Sequence, residues 1–211
     1  MVMRTRPKWP ACARSRFASA SKPRLALRRP SRHLAVLGLA SLGRALSSSS
    51  REYALTPRAA VAVTVRRPTS PPSYCLIQRG KPPGEGRWSI PGGALELGEE
   101  TLAGARRELA EETGLRDGVS WHGAPFTTSD AIYRDDDGRV RFHYLIAQCF
   151  CEAAPTAALA AGDDALDARW FTLDDVANAG GDVAGNCWRI LARAEALFAA
   201  GLLPEDDEGC P

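Results

Sequence analysis

The sequence predicts an α/β protein in which a mixed β-sheet lies between helices as an α/β/α sandwich. Short apolar, partly β-branched runs stand on both sides of one Pro-free stretch, residues 99–113, where Ala, Leu, Glu and Arg dominate. A second helical stretch, residues 183–200, follows the last of these runs, and no internal repeat offers another architecture.

Residues 58–65 (RAAVAVTV) and 74–79 (YCLIQR) read as strands joined by a Pro-rich turn, residues 68–72. Residues 81–86 form a loop, and 88–90 a brief strand before Pro91-Gly92-Gly93, where glycine permits backbone geometry that a side chain forbids. The helix from Glu99 carries Leu102, Ala105 and Leu109 as an apolar stripe, and Gly114 supplies its left-handed stop. Residues 120–127 and 131–134 are strand candidates, and Asp135-Asp136-Asp137-Gly138 is a tight turn into a long strand, residues 139–151. In that strand Phe142, Tyr144, Ile146, Gln148 and Phe150 share one face, with His143, Leu145, Ala147, Cys149 and Cys151 on the other. Residues 153–162 fit a loop or a weak helix equally well. A short strand, residues 168–172, leads to a helical turn capped by Thr172 or Asp174. The final helix has Trp188, Leu191, Ala192, Glu195 and Phe198 as its stripe, with one polar member.

At 211 residues the chain accommodates one domain of ordinary size and an appendage. Residues 1–50 hold eleven Lys and Arg and no Asp or Glu. Removing these eleven from the chain's 27 basic residues leaves 16 against 25 acids, a formal net charge of −9 for the remainder. The small basic excess of the whole is therefore no footprint for stable nucleic-acid binding. The first fifty residues have the composition of a cleavable mitochondrial or plastid transit peptide. The apolar run at residues 34–42 is too short to span a bilayer, and a secretory route or a basic tail on a cytoplasmic protein is the alternative. The folded domain is expected over residues 56–200, with a disordered tail at 201–211. Six scattered cysteines show no zinc spacing and read as reduced, mostly buried thiols.

Glu108, Glu111 and Glu112 stand at i, i+3 and i+4 and project from one side of the long helix. Three carboxylates on one patch repel one another unless a hard divalent cation orders them, which points to Mg²⁺, with Mn²⁺ as the alternative. The bland reading is a solvated acidic face beside Arg106 and Arg107.

The whole pattern favours the first reading. Gly93, five residues, Glu99, seven residues, then Arg107-Glu108-Leu109-Ala110-Glu111-Glu112-Thr113-Gly114-Leu115 resembles the Nudix box with every fixed position filled. Residues 86–93 are similar to the strand and turn that lead into it, and the likeness covers about residues 56–200.

The resemblance implies an α/β/α Nudix fold and metal-dependent hydrolysis of a nucleoside diphosphate derivative by water attack on phosphorus. It implies Glu108, Glu111, Glu112 and the carbonyl of Gly92 as metal ligands, and Glu108 or Glu112 as the base within the box. Glu99 and Arg107 match positions that hold the box together by pairing. A further carboxylate is expected before the late Trp-bearing strand, with Asp163 and Asp164 the candidates and Asp164 taken into the catalytic set. Arg79, Lys81 and Arg87 are candidates for phosphate contact, and Trp88, Phe126, Tyr133 or Tyr144 for base stacking, although Trp88 and Tyr144 suit the core better. ADP-ribose or NADH is the first substrate guess, with an oxidised (d)NTP as the rival. A non-hydrolytic Nudix-fold binding module or an isomerase is the other class, disfavoured because none of the box acids is missing. The resemblance leaves a homodimer open.

Overall fold

The computed structural model describes residues 51–204. The targeting expectation for residues 1–50, Cys12, Cys210 and most of the expected tail lie outside the described residues. The described chain runs β1 (Arg58–Arg67), β2 (Ser73–Arg79), β3 (Trp88–Ser89), α1 (Thr101–Thr113), β4 (Val119–Trp121), β5 (Thr127–Arg134), β6 (Val140–Ala153), β7 (Ala165–Thr172), α2 (Leu173–Asn178) and α3 (Cys187–Ala199).

The seven strands form one mixed sheet. β1 runs parallel to β6, from Arg58 opposite Tyr144 to Arg66 opposite Glu152, and every other pairing is antiparallel. The far side of β6 is covered by β5 over its first half and by β4 near its end. β7 lies along the whole of β2. The other side of β2 is therefore shared, by β1 at Ser73 and Tyr74 and by β3 at Ile77 and Gln78.

Beyond those two residue pairs β1 and β2 part, and the open ladder positions of β1 are filled by the loop that precedes α1. Val63 N–H donates to the Pro91 carbonyl at 2.8 Å, Val61 N–H to Gly93 at 2.9 Å, and Leu95 N–H to the Ala59 carbonyl at 3.2 Å. Buried backbone groups need such partners, so the fork fixes this loop as firmly as a strand.

Side-chain alternation along the sheet then builds two cores. Val61, Val63, Val65, Cys75, Cys149 and Cys151 pack with Ala105 and Leu109 of α1. On the other face Ala62, Tyr74, Leu76 and Ile90 pack with Val176 of α2 and with Cys187, Ile190 and Leu191 of α3. This is the α/β/α sandwich expected, with Gly114 ending α1 at φ 71°. Cys75, Cys149, Cys151 and Cys187 are buried and free. Thr172 caps α2 in a reciprocal box, accepting from Asp175 N–H at 3.1 Å while Thr172 N–H donates to Asp175 at 2.8 Å. Among the described residues no helix is long and apolar enough to cross a membrane.

Three expectations need correction and one open choice is decided. The candidate strand at residues 120–127 is two pieces, β4 and the start of β5, because residues 122–126 pass between their separate pairings with β6. Residues 154–164, where loop and weak helix fitted equally, take the loop. The buried stripe of α3 is Cys187, Ile190, Leu191 and Ala194, rotated by about one residue, roughly 100°, from the expected one. Trp188 is left 48% exposed, while Glu195 is held at the sheet margin by Tyr74 Oη at 2.6 Å and Arg66 Nε at 2.8 Å. The folded unit also runs past residue 200, since Leu203 is buried against Phe150 and Ala194.

Candidate active site

The fork between β1 and β2 brings Gly92 against the acidic side of α1. Gly92 N–H donates to Glu112 Oε2 at 2.7 Å, and Glu112 is only 6% exposed. Burial pushes the Glu112 carboxyl up to about 8, helped by the charges of Glu108 and Asp163 and opposed by the Gly92 hydrogen bond and by Arg79. Burial also raises Glu108, against the pull of the Arg107 guanidinium.

Arg107 organises the rest. Its Nε and one terminal nitrogen grip Glu99 at 2.8 and 2.9 Å, and that nitrogen also reaches the Ala94 carbonyl at 3.2 Å. Its other terminal nitrogen donates to Glu108 at 2.9 Å and Glu111 at 3.1 Å. The fork geometry of a guanidinium suits this bidentate grip, which holds Glu99 down to about 2, with the Glu96 backbone N–H adding to it. The expected Glu99–Arg107 pair is present, and it is part of a larger clamp on Glu108 and Glu111.

The loop before β7 closes the cluster. Ala160 N–H donates to Thr113 at 2.9 Å, Gly162 N–H to the Glu112 carbonyl at 3.2 Å, and Gly80 N–H to the Asp164 carbonyl at 2.7 Å. Stitched thus to α1 and to the end of β2, the loop holds Asp163 in left-handed backbone at φ 47° and sets its charge against Glu108 and Glu112. Asp164, preferred from the sequence, instead forms an ion pair with Lys81. Both aspartates are compatible with a Gly-Asp-Asp loop, and spacing alone carries no signal to separate them.

These groups line a cleft of about 920 Å³ that also holds Arg79, Lys81, Arg87 and Tyr133. Arg79 is anchored by its Nε on the Pro83 carbonyl at 2.8 Å. Trp88 does not line the cleft. Its ring packs edge-on against Phe171, 4.9 Å between centroids, among the residues that pack under α2 and α3. Phe126 is likewise core, whereas Tyr144 lines the cleft.

Glu108, Glu111, Glu112, Asp163 and the Gly92 backbone are oxygen donors, the set a hard divalent cation takes. Among the described residues no three His, Cys, Asp or Glu side chains stand at metal-holding distances as placed. The reason is visible in the contacts, since Arg107 draws Glu108 and Glu111 to itself while Gly92 holds Glu112. The donor chemistry fits such a cation.

Residues 56–187 match the family described as the NUDIX domain. The chain is 34% identical over 101 residues to an ADP-ribose pyrophosphatase of Methanocaldococcus jannaschii, a match spanning 48% of this chain and 55% of that protein. It is 40% identical over 68 residues to an octanoyltransferase of Myxococcus xanthus, 32% of this chain and 19% of that protein. The chain thus spans about half and about a fifth of these relatives. Among solved structures, a C. elegans Ap4A hydrolase aligns with TM-score 0.54 and 17% identity over 68% of this chain and 98% of that one. The NUDIX domain of Shewanella oneidensis NrtR, complexed with ADP ribose, aligns with TM-score 0.52 and 19% identity over 68% and 89%. At such identities these structures speak for the fold alone. The family match covers more than half of the chain and takes in the fork, the clamp and the acids of α1, and the protein belongs to the Nudix family.

Proposed function

We propose that the protein is a divalent-metal-dependent pyrophosphatase that cleaves the diphosphate linkage of a nucleoside diphosphate derivative by water attack on phosphorus. The observation that carries it is the meeting, in one cleft, of the carboxylates of α1 and Asp163 with Arg79, Lys81 and Arg87. Glu108, Glu111 and Glu112, with Asp163 and the Gly92 backbone, would hold Mg²⁺ or Mn²⁺. When bound, such an ion withdraws charge from phosphate oxygens and eases ionisation of water. The chain's own groups orient the diphosphate through Arg79 and Arg87, and Glu108 or Glu112 takes the proton of the attacking water. ADP-ribose is the first substrate to test, supported by the archaeal relative's activity, followed by NADH and an oxidised dNTP.

Purified full-length chain with Mg²⁺ is expected to release mononucleotide from at least one of these, and EDTA to stop the release. Nucleotide binding without turnover on any of them would favour a non-hydrolytic module. Asp163→Asn is expected to lower kcat about tenfold or more, against less than threefold for Asp164→Asn, because only Asp163 faces the acids. The reverse order in steady-state kinetics would favour Asp164 as the catalytic carboxylate of the loop. We further propose that residues 1–50 deliver the protein to a mitochondrion or plastid, which a reporter fused to them and found in the cytosol or medium would refute.

A further inference from the structure

Among the described residues four buried side-chain polar atoms have no hydrogen-bond partner, and two of them, Ser89 Oγ and Gln148 Oε1, belong to residues lining the cleft. Ser89 stands three residues before Gly92, in the segment that leads to the acids. Gln148 is on β6 and only 3% exposed. Its Nε2 donates to Ser129 Oγ on the neighbouring strand at 2.9 Å, and its Oε1 is left alone. A buried acceptor without a donor is destabilising, and native proteins keep few of them. One carried by a residue in the wall of a ligand cleft is explained if the ligand, on entering, supplies the donor.

The surroundings suit a planar, partly polar ligand. Tyr144, Ile146 and Gln148 alternate along β6 and share a face with Ala131 and Ser129 of β5, which lie opposite Tyr144 and Ile146. All five residues line the cleft. Ile146 packs in the cluster that contains Cys187, so the start of α3 bounds this surface. An apolar floor, an aromatic end and a single polar corner are the composition of a pocket that orients a ring by one specific hydrogen bond. Glu108, Glu111 and Glu112 stand on α1, which packs on the opposite face of the sheet, so this surface meets the acids only through the cleft they share.

We propose that Gln148, held by Ser129, determines base specificity. Its Oε1 accepts a hydrogen bond from the exocyclic amino group of a nucleobase, so amino-bearing bases are preferred to their deaminated counterparts. The inference rests on the reading that the cleft takes a nucleoside diphosphate derivative.

Calorimetry on the full chain without divalent cation, so that nothing is hydrolysed, tests it with two pairs, ADP-ribose against IDP-ribose and CDP-glucose against UDP-glucose. The amino-bearing member of at least one pair is expected to bind about tenfold more tightly. Gln148→Met removes that preference while keeping affinity for the deaminated member within about threefold, since the swap conserves volume. Should circular dichroism show that Gln148→Met is unfolded, Ser129→Ala is expected to lower the same ratio by freeing the amide to turn. Equal affinities in both pairs, preference for deaminated members, no binding of any of the four, or a preference that survives these variants overturns the proposal. Absence of turnover with the preference intact would overturn the hydrolase reading alone.

Discussion

Glu112→Gln is expected to remove nearly all turnover and to make the metal-free protein more stable at neutral pH. A ligand carboxylate should cost at least the roughly 100-fold that changes around a metal site produce, seen in kcat with Mg²⁺. The stability gain follows from linkage. The Glu112 carboxyl is about 8 in the folded chain against 4.5 for an ordinary glutamate, so the unfolded chain releases this proton first as pH rises. Below about pH 4.5 both states are protonated and there is no penalty. From there to about pH 8 the folded state loses stability at up to about 1.4 kcal/mol per pH unit, and the loss stays constant above. Glutamine keeps the acceptor for Gly92 N–H and carries no charge, so thermal melts in EDTA should show the variant's advantage growing between pH 5 and 8, by on the order of a few kcal/mol. Added Mg²⁺ should raise the wild-type Tm and leave the variant nearly unchanged. A variant that is no more stable than wild type at pH 8 without metal would mean that Glu112 is already neutralised by another group.

Gly92→Ala is expected to prevent folding or to cost more than about 4 kcal/mol, the range reserved for steric and core failures. A Cβ there would strike the Val61 carbonyl oxygen and stand 2.6 Å from Ala62 Cα, and φ is 152°. Neither neighbour can yield, because β1 is paired with β6 along its length. Gly138→Ala is the control, with positive φ of 79° but open space around it, and should cost only about 1 kcal/mol. Chemical denaturation of both variants separates the effects, and a Gly92→Ala protein as stable as the control would show that the fork relaxes.

What could be read in the sequence was whatever depends on local spacing. The acids of α1 and the Gly114 stop follow from positions on one helix, the Glu99–Arg107 pair from the likeness to the Nudix box, and all three are present. What depends on contacts distant in sequence was not legible. Asp163 and Asp164 are indistinguishable until the loop is stitched to α1 and Gly80, and of the two aromatics read as core, Trp88 packs on Phe171 while Tyr144 lines the cleft. The phase of α3 was ambiguous because Ala and Trp give its stripe no sharp edge, and a distant Arg66 and Tyr74 make Glu195 tolerable at the margin. Gln148 was hidden inside an apolar strand, where only the missing hydrogen-bond partner distinguishes it from a core residue.

The grip of Arg107 on Glu99, Glu108 and Glu111 has a consequence for the life of the chain. A carboxylate patch that carries its own resident cation does not need an imported one in order to fold. On the metal-dependent reading, an incoming ion would compete with a guanidinium for Glu108 and Glu111, which would weaken its affinity and make occupancy follow the free ion concentration around the protein. Maturation of the fold and readiness for chemistry would then be separate events, the second responding to its surroundings.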